Sequence, residues 1–527
     1  MLNEKRVYTY DTTLRDGAQT EGISFSTEDK LEILTKLDAF GIDFVEGGWP
    51  SSNPKDDEFF EKAAKVKLSK TKLTAFGSTC KHGTRPEDDT GLKALAECCA
   101  EYICIFGKAW DFHVTEALKI SLADNLKMVE ESVRFLKDRG KEVIFDAEHF
   151  FDGYRHNRDY STKVIEAAVR GGAEWVVLCD TNGGSLPKYV GEATHDIMST
   201  VYSKIGIHCH NDSDLAVACS LAAIEHGARM VQGTVNGIGE RCGNANLCSI
   251  LPDLSIKMEY DVGTVDLTKL TALSVFVGET ANMAPYSSLP YVGGRAFAHK
   301  GGVHVSALAK DPRTYEHVPP ETVGNERKIL ISDMSGKASI SAKLAQFGIS
   351  GKENDNAEIL ERIKELESKG YQFEGAEASF ELLVKRFKGD IVKPFDVVGF
   401  RLYMDEIGEK GIVSEASVKV VDRVGNVEHT ASDGDGPVNA LDGALRKALA
   451  RFYPVLNDVR LTDYKVRVLD EKAATAASVR VLIRSTDGRD SWTTVGVSTN
   501  VIEASLLALV DSLEYAILKH ESDPKKK

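Results

Sequence analysis

The chain has 527 residues, a formal charge of -15 and a composition that is 42% hydrophobic and 28% charged. That length predicts two or three domains, and the balance is that of a globular protein with a sizeable core. The acidity, with a pI near 5.5, argues against a general nucleic-acid or anionic-membrane partner, and no stretch reaches transmembrane length. Met1-Leu2-Asn3-Glu4-Lys5-Arg6 runs into a strand-like segment without an apolar leader, so a cytoplasmic protein is expected. Nine cysteines without a C-x-x-C pair read as buried reduced thiols, and Lys525-Lys526-Lys527 as a solvated tail.

In chain order, short apolar runs alternate with helical patterns. Strands are expected at Val7-Tyr10, Phe44-Glu46, Lys72-Phe76, Tyr102-Phe106, Glu142-Asp146, Trp175-Cys179, Lys204-Cys209 and Met230-Thr234. Amphipathic stretches between them include Thr27-Phe40, Glu116-Arg139, Asp159-Gly171 and Leu215-Gly227. Eight β-α units over residues 1–280 predict a TIM (β/α)8 barrel, whose chemistry sits at the carboxyl ends of its strands.

Those ends carry polar clusters. Strand one leads into Asp11-Thr12-Thr13-Leu14-Arg15-Asp16-Gly17, strand two into Glu46-Gly47-Gly48, and strand five into Glu148-His149. Strand six leads into Asp180-Thr181-Asn182-Gly183-Gly184, and strand eight into Asn236 through Asn244. Strand seven ends in His208-Cys209-His210. A period of two puts both imidazoles on one face, as a divalent metal requires, and turns Cys209 away. Any one of these loops could be an ordinary turn; six at one rim point to a site.

His208, His210, Asp16 and Asn244 form a mixed nitrogen and oxygen set that suits Zn2+, Mn2+, Co2+ or Mg2+. Such an ion chelates a 2-oxo acid and polarises its carbonyl. Arg15 is placed to stabilise oxyanion charge, and Thr181 to hydrogen-bond a carboxylate.

After about residue 265 the alternation stops. Residues 281–395 read as a helical linker subdomain with a glycine-rich loop at Val292-Gly293-Gly294-Arg295, a histidine-containing stretch around His304 and Tyr315, and a charged helix around Asn356-Gly370. Residues 396–520 contain a weak repeat: Ala416-Ser417-Val418-Lys419-Val420 answers to Ala477-Ser478-Val479-Arg480-Val481. Each copy continues into a hairpin turn, a second strand and a helix, Pro437-Phe452 or Ile502-Leu518. This predicts an α+β regulatory or dimerisation domain.

Three motifs, Thr12-Thr13-Leu14-Arg15-Asp16-Gly17-Ala18-Gln19, His208-x-His210-Asn211-Asp212 and Gly237-x-Gly239-Glu240-Arg241-x-Gly243-Asn244, resemble the signatures of the isopropylmalate synthase and homocitrate synthase family. The resemblance covers nearly the whole chain and implies metal-dependent Claisen condensation on a TIM barrel, with an amino-acid-sensing C-terminal domain and a homodimer. Ala18 and Asn182-Gly183-Gly184 are similar to the branch that joins acetyl-CoA to pyruvate, giving (R)-citramalate and CoA on a route to isoleucine. The resemblance implies Asp16, His208, His210 and Asn244 as metal ligands. It gives Arg15 the pyruvate carbonyl and new alkoxide, Thr181 the pyruvate carboxylate, and Glu148 the base's role. His304 and Tyr315 would assist acetyl-CoA binding or enolisation, in the same subunit or a neighbouring one, and isoleucine is the implied effector. Bulky groups around Gly77 and Gly107 are the candidates for restricting the 2-oxo acid.

The alternatives are condensation with 2-oxoisovalerate or 2-oxoglutarate, an aldol-type lyase similar to hydroxymethylglutaryl-CoA lyase, and a catalytically dead effector-binding paralogue. The Glu240-Arg241-Cys242-Gly243-Asn244 loop argues against the lyase, and intact Arg15, Asp16, His208 and His210 against the paralogue.

Overall fold

The computed structural model describes residues 5–283, 286–330, 344, 353–406, 412–469 and 477–522; the lysine tail lies outside them. Eight parallel strands close into a barrel: β1 (Tyr8–Asp11), β2 (Phe44–Glu46), β3 (Lys72–Ser78), β4 (Tyr102–Lys108), β5 (Glu142–Glu148), β6 (Trp175–Asp180), β7 (Lys204–Cys209) and β8 (Met230–Gly233). Closure is the β8 to β1 pairing, with Tyr8 opposite Met230 and Asp11 opposite Gly233. The expected TIM barrel is therefore present.

Pleating decides what the lumen contains. Tyr10, Phe44, Tyr102, Ile144, Trp175, Val177 and Met230 form one packed cluster inside the barrel. Their outward neighbours, among them Val45, Ile103, Phe145, Val176, Leu178, Ile207 and Cys209, join the helices in a second, larger core. Strands buried on both faces explain the apolar runs of the sequence. One further step along the inward row, the lining changes from aromatic to acidic and basic.

Helices α1 (Thr27–Phe40), α2 (Pro54–Ala63), α3 (Thr90–Glu97), α4 (Leu122–Lys137), α5 (Phe150–His156), α6 (Arg158–Gly171), α7 (Pro187–Thr200), α8 (Ala216–Glu225), α9 (Leu247–Pro252) and α10 (Leu270–Thr280) accompany the strands. α1 opens with a capping box: Ser26 Oγ accepts from Asp29 N at 3.1 Å while the Asp29 carboxylate accepts from Ser26 N at 2.8 Å. The single helix expected over Glu116-Arg139 is in fact two pieces. A π-helical turn, His113–Leu118, ends at Lys119 with φ +58°. The chain then restarts at α4, where Ser121 Oγ accepts from Asp124 N at 3.0 Å. That cap supplies a local partner for an otherwise orphaned amide and overrides the apolar spacing.

The chain divides into two compact units, Met1–Phe297 with Val318–Arg327, and Ala298–His317 with Lys328–Lys527. The second holds α11 (Gly302–Leu308), α12 (Glu353–Ser368), α13 (Glu377–Lys388) and a repeated module. Its first copy is β9 (Phe395–Glu406), β10 (Ile412–Asp422), β11 (Val427–Gly434) and α14 (Pro437–Leu449). Its second is β12 (Arg460–Val468), β13 (Val479–Thr486), β14 (Ser491–Ser498) and α15 (Val501–Ser522). Each copy therefore has three antiparallel strands, one more than the repeat predicts. The extra leading strands, with Arg401, Tyr403 and Met404 in one and Asp463, Lys465 and Arg467 in the other, carry polar and exposed residues that mask the strand pattern. Leu441, Leu445 and Leu449 of α14 share a core with Leu509, Leu513 and Ile517 of α15.

Among the described residues, no helix is long and apolar enough to cross a membrane. All nine cysteines are free; Cys80, Cys104, Cys179, Cys209, Cys219 and Cys248 are buried, whereas Cys99 and Cys242 are exposed, so burial is not general as expected.

Candidate active site

β7 delivers His208 and its continuation His210 to the rim, where their Nε2 atoms lie 3.3 Å apart. Asp16, from the turn after β1, places Oδ2 at 3.7 Å from His208 Nε2 and 3.9 Å from His210 Nε2. All three side chains are buried. His208 Nδ1 faces Gln232 Oε1 at 2.9 Å, and Gln232 Nε2 donates to Asp146 Oδ1 at 3.1 Å. An imidazole donating at Nδ1 keeps its Nε2 lone pair for a metal.

Burial, with help from His210, pushes the His208 imidazole down to about 3, and burial lowers His210 as well. Burial opposes ionisation of Asp16, but Arg15 and the two histidines outweigh it and hold the carboxyl well below the usual range. The result is two neutral nitrogens and one carboxylate. Two ligands about 2.0–2.1 Å from a tetrahedral ion stand roughly 3.3 Å apart, as these nitrogens do. Asp16 Oδ1 and Asn244 Oδ1 are buried without a hydrogen-bond partner among the described residues. Buried acceptors left unpaired are costly, and a shared cation would satisfy them. Asp16, His208 and His210 form the cluster among the described residues able to hold a metal ion.

Arg15 is held on three sides. Nε donates to Glu46 Oε1, Nη1 donates to Asp16 Oδ2 at 3.1 Å, and the guanidinium lies 3.7 Å over the Phe76 ring. Tyr10 Oη donates to the other Glu46 oxygen at 2.6 Å. Burial raises the Glu46 carboxyl against the pull of Arg15.

Asn244 is positioned by the glycines of its motif. A Cβ at Gly239 would fall 2.1 Å from Asn244 Nδ2, and one at Gly243, where φ is +92°, would fall 2.0 Å from the Gly237 carbonyl oxygen. Arg241 fixes the loop: Nε and Nη2 each donate to Asp212 at 2.8 Å, and Nη2 donates to the Thr181 carbonyl at 2.7 Å. Gly183 faces Asp212 so closely that a Cβ would lie 2.5 Å from its Oδ2, which gives that glycine a steric reason; a Cβ at Gly184 would meet nothing within 4 Å. Thr181 Oγ1 accepts from His149 N at 2.8 Å, leaving its own proton to donate. Glu148 is paired with Lys108 across the ends of β5 and β4.

These groups surround a cavity of about 220 Å³ lined by Arg15, Asp16, Glu148, Thr181, His208 and His210 on its polar side. Trp49, Phe76 and Phe106 form its apolar wall. Phe76 and Phe106 stack at 5.6 Å, with Trp49 edge-on at 5.6 and 5.9 Å. Gly77 and Gly107 point the other way, against Leu95 and Phe145. The aromatic residue before each glycine is the one that faces the cavity.

The structure thus brings Arg15, Asp16, Glu148, Thr181, His208, His210 and Asn244 to one rim. His304 and Tyr315 belong to the second compact unit, where their rings stack on each other at 4.0 Å. The sequence reading missed Tyr10, Gln232 and Asp146; counting back by two from Glu148 along β5 would have found Asp146, whereas Gln232 is placed beside His208 only by the pairing of β8 with β7, and Tyr10 lies on β1. Trp49 comes after Gly47-Gly48 in a loop, where no periodicity points to it.

The HMGL-like family model matches residues 6–277, the homocitrate synthase post-HMGL domain-like model residues 291–371, and the LeuA allosteric (dimerisation) domain model residues 374–517. The (R)-citramalate synthase of Aquifex aeolicus is 53% identical over 98% of this chain and 99% of its own length. The chain belongs to the HMGL-like family, among its (R)-citramalate synthases. The (R)-citramalate synthase of Geobacter sulfurreducens is 53% identical over 97% of this chain and 98% of its own. A probable 2-isopropylmalate synthase of Methanopyrus kandleri is 34% identical over 96% of this chain and 97% of its own. Within this synthase family, the rim from Arg15 to Asn244 falls inside the segment matched by the HMGL-like model.

Proposed function

We propose that the chain condenses acetyl-CoA with pyruvate and hydrolyses the thioester, giving (R)-citramalate and CoA at the entry of a pyruvate route to isoleucine. The observation that carries this is the Asp16, His208 and His210 triangle opening into a small cavity walled by three aromatic rings. Trp49, Phe76 and Phe106 close its apolar side, where a longer 2-oxo acid would have to place its side chain, which favours pyruvate over 2-oxoisovalerate or 2-oxoglutarate.

Asp16, His208 and His210, with Asn244, would hold a divalent ion, Mn2+, Zn2+, Co2+ or Mg2+, which would supply Lewis-acid polarisation of the 2-oxo acid's carbonyl. The Thr181 hydroxyl, with its oxygen already accepting from His149 N, donates its proton to the pyruvate carboxylate. Glu148 removes a proton from the acetyl methyl group, directly or through one water, and Lys108 keeps its carboxylate at the rim. The resulting carbanion forms the carbon–carbon bond at C2 of pyruvate. The keto oxygen gains the electron pair, and Arg15, fixed by Glu46, Asp16 and Phe76, stabilises that charge until the oxygen takes up a proton from water and Glu148 gives its own back to solvent. Water then cleaves the thioester and CoA leaves as the thiol. His304 and Tyr315 assist acetyl-CoA binding or its enolisation, and Tyr315→Phe is expected to lower kcat/KM for acetyl-CoA while leaving pyruvate affinity unchanged.

The LeuA allosteric (dimerisation) model over residues 374–517 supports a homodimer with an effector-binding repeated module; isoleucine, the end product of the proposed route, is the inhibitor assigned to it. The test of the reaction is formation of citramalate and free thiol from the two substrates. No product with pyruvate in the presence of metal refutes it.

A further inference from the structure

A second cavity, of about 700 Å³, opens beside the first, and Arg15, Gln19 and Trp49 line both. Trp49 therefore stands, with Arg15 and Gln19, between a small pocket and a large cleft, and it is the one apolar group of the three. Its backbone lies in the loop after β2, a short strand of three residues, yet the indole is held edge-on to both Phe76 and Phe106. Something must fix the loop.

The fixing group is a buried ion pair outside the reacting residues. Lys30, on α1, is 4% exposed and Asp56, on α2, is 7% exposed. Lys30 Nζ donates to Asp56 Oδ1 and, at 3.1 Å, to the Gly47 carbonyl. Asp56 Oδ2 accepts from the backbone N of Trp49 at 2.9 Å and from Asn53 Nδ2 at 3.2 Å. Gly48 has φ +150°, and a Cβ there would lie 2.7–2.8 Å from the Asp56 carboxyl. The Gly48 carbonyl in turn accepts from Phe76 N at 2.9 Å, so the same loop is stitched to the strand that carries a second ring of the wall. One carboxylate thus ties two helices to the peptide that carries Trp49.

We infer that the Lys30–Asp56 pair is a strut that sets the size limit of the acid pocket by holding Trp49 against Phe76 and Phe106. Neither member lines the smaller cavity, although both border the larger cleft; toward the wall of the acid pocket both are positioning residues. A buried pair is weak evidence for stability, since apolar groups of similar volume often replace one without loss. Its retention here is explained by the direction it gives one backbone amide. The inference rests on the proposed condensation with pyruvate for its substrate, and on the geometry alone for its wall.

The test compares 2-oxo acids in the full-length, metal-loaded chain. The ratio of kcat/KM for 2-oxoisovalerate to that for pyruvate is measured for the natural protein, Trp49→Leu, Asp56→Asn, Lys30→Met and the apolar pair Lys30→Met with Asp56→Leu. Trp49→Leu is expected to raise the ratio by roughly tenfold or more, the scale of a few methylenes in an apolar pocket. Asp56→Asn, Lys30→Met and the apolar pair are expected to raise it in the same direction by about threefold or more, and Lys30→Arg to restore it. Ser121→Ala, a remote cap loss, serves as the control that lowers thermal stability without moving the ratio. Strut variants that melt lower but keep the natural ratio overturn the inference. If the natural protein releases no CoA with pyruvate, the functional reading fails separately. The strut is then judged by thermal protection with the two acids, and unchanged relative protection in the variants overturns it.

Discussion

Arg15 shows how much of the site is arranged by groups that never meet the substrate. Its guanidinium is shared among Glu46, Asp16 and the Phe76 face, a planar fork matched to carboxylates in a way an ammonium is not. Arg15→Lys is therefore expected to lower kcat by about 10²–10³, the usual effect of losing one oxyanion donor. Steady-state kinetics on folded, metal-loaded protein measures it. Gln232 has the corresponding task at the metal: it holds His208 by Nδ1 and is itself held by Asp146. Gln232→Leu should weaken metal binding by about 10- to 100-fold with the fold intact, as read by calorimetric titration. Asp146 also carries a pH signature. Burial, reinforced by the Glu46 charge, raises its carboxyl to about 7 from the ordinary 3.8. Between those values the folded chain binds more protons than the unfolded one, so this group's stabilisation is full below about pH 4, declines as pH rises and is lost above about pH 7. Asp146→Asn is expected to flatten that part of the stability curve in the metal-free chain. A slope unchanged in denaturant titrations across this range would contradict the assignment.

At the scale of elements, the barrel rim is built by strands that differ mainly in the loops at their carboxyl ends. β7 supplies its two histidines by continuing the inward row, whereas the loop after β8 must double back, and Gly239 and Gly243 permit the close approaches that bring in Asn244. Gly243→Ala, which puts a methyl group against the Gly237 carbonyl at a positive φ, should reduce metal affinity more than it lowers the melting temperature. Calorimetry and thermal denaturation on the same sample separate the two. The eight strands were legible because most are apolar runs bounded by turn residues, and the metal triad because His208 and His210 obey the period of a strand. The break at Ser121 was obscured by continuous apolar spacing, and the leading strands of the repeated module by exposed polar residues. Trp49, Gln232 and Lys30 were not singled out: their roles depend on contacts between residues far apart in the chain, such as Lys30 with Asp56, that no local pattern contains.

For the whole molecule, a barrel unit and a repeated α+β module share one chain, with the module matched by an allosteric, dimerisation model. The full-length protein is expected to sediment as a dimer of the 57.6 kDa chain. Its activity should fall on addition of isoleucine, and inhibition surviving truncation near residue 395 would place the effector elsewhere. The reaction itself is tested most directly by free CoA released from acetyl-CoA with pyruvate, 2-oxobutyrate, 2-oxoisovalerate and 2-oxoglutarate, each in metal-replete and chelated samples. The expected result is metal-dependent release that strongly favours pyruvate, with citramalate as the product. Preference for 2-oxoisovalerate would contradict the limit set by the aromatic wall, and no release with any acid would contradict the condensation.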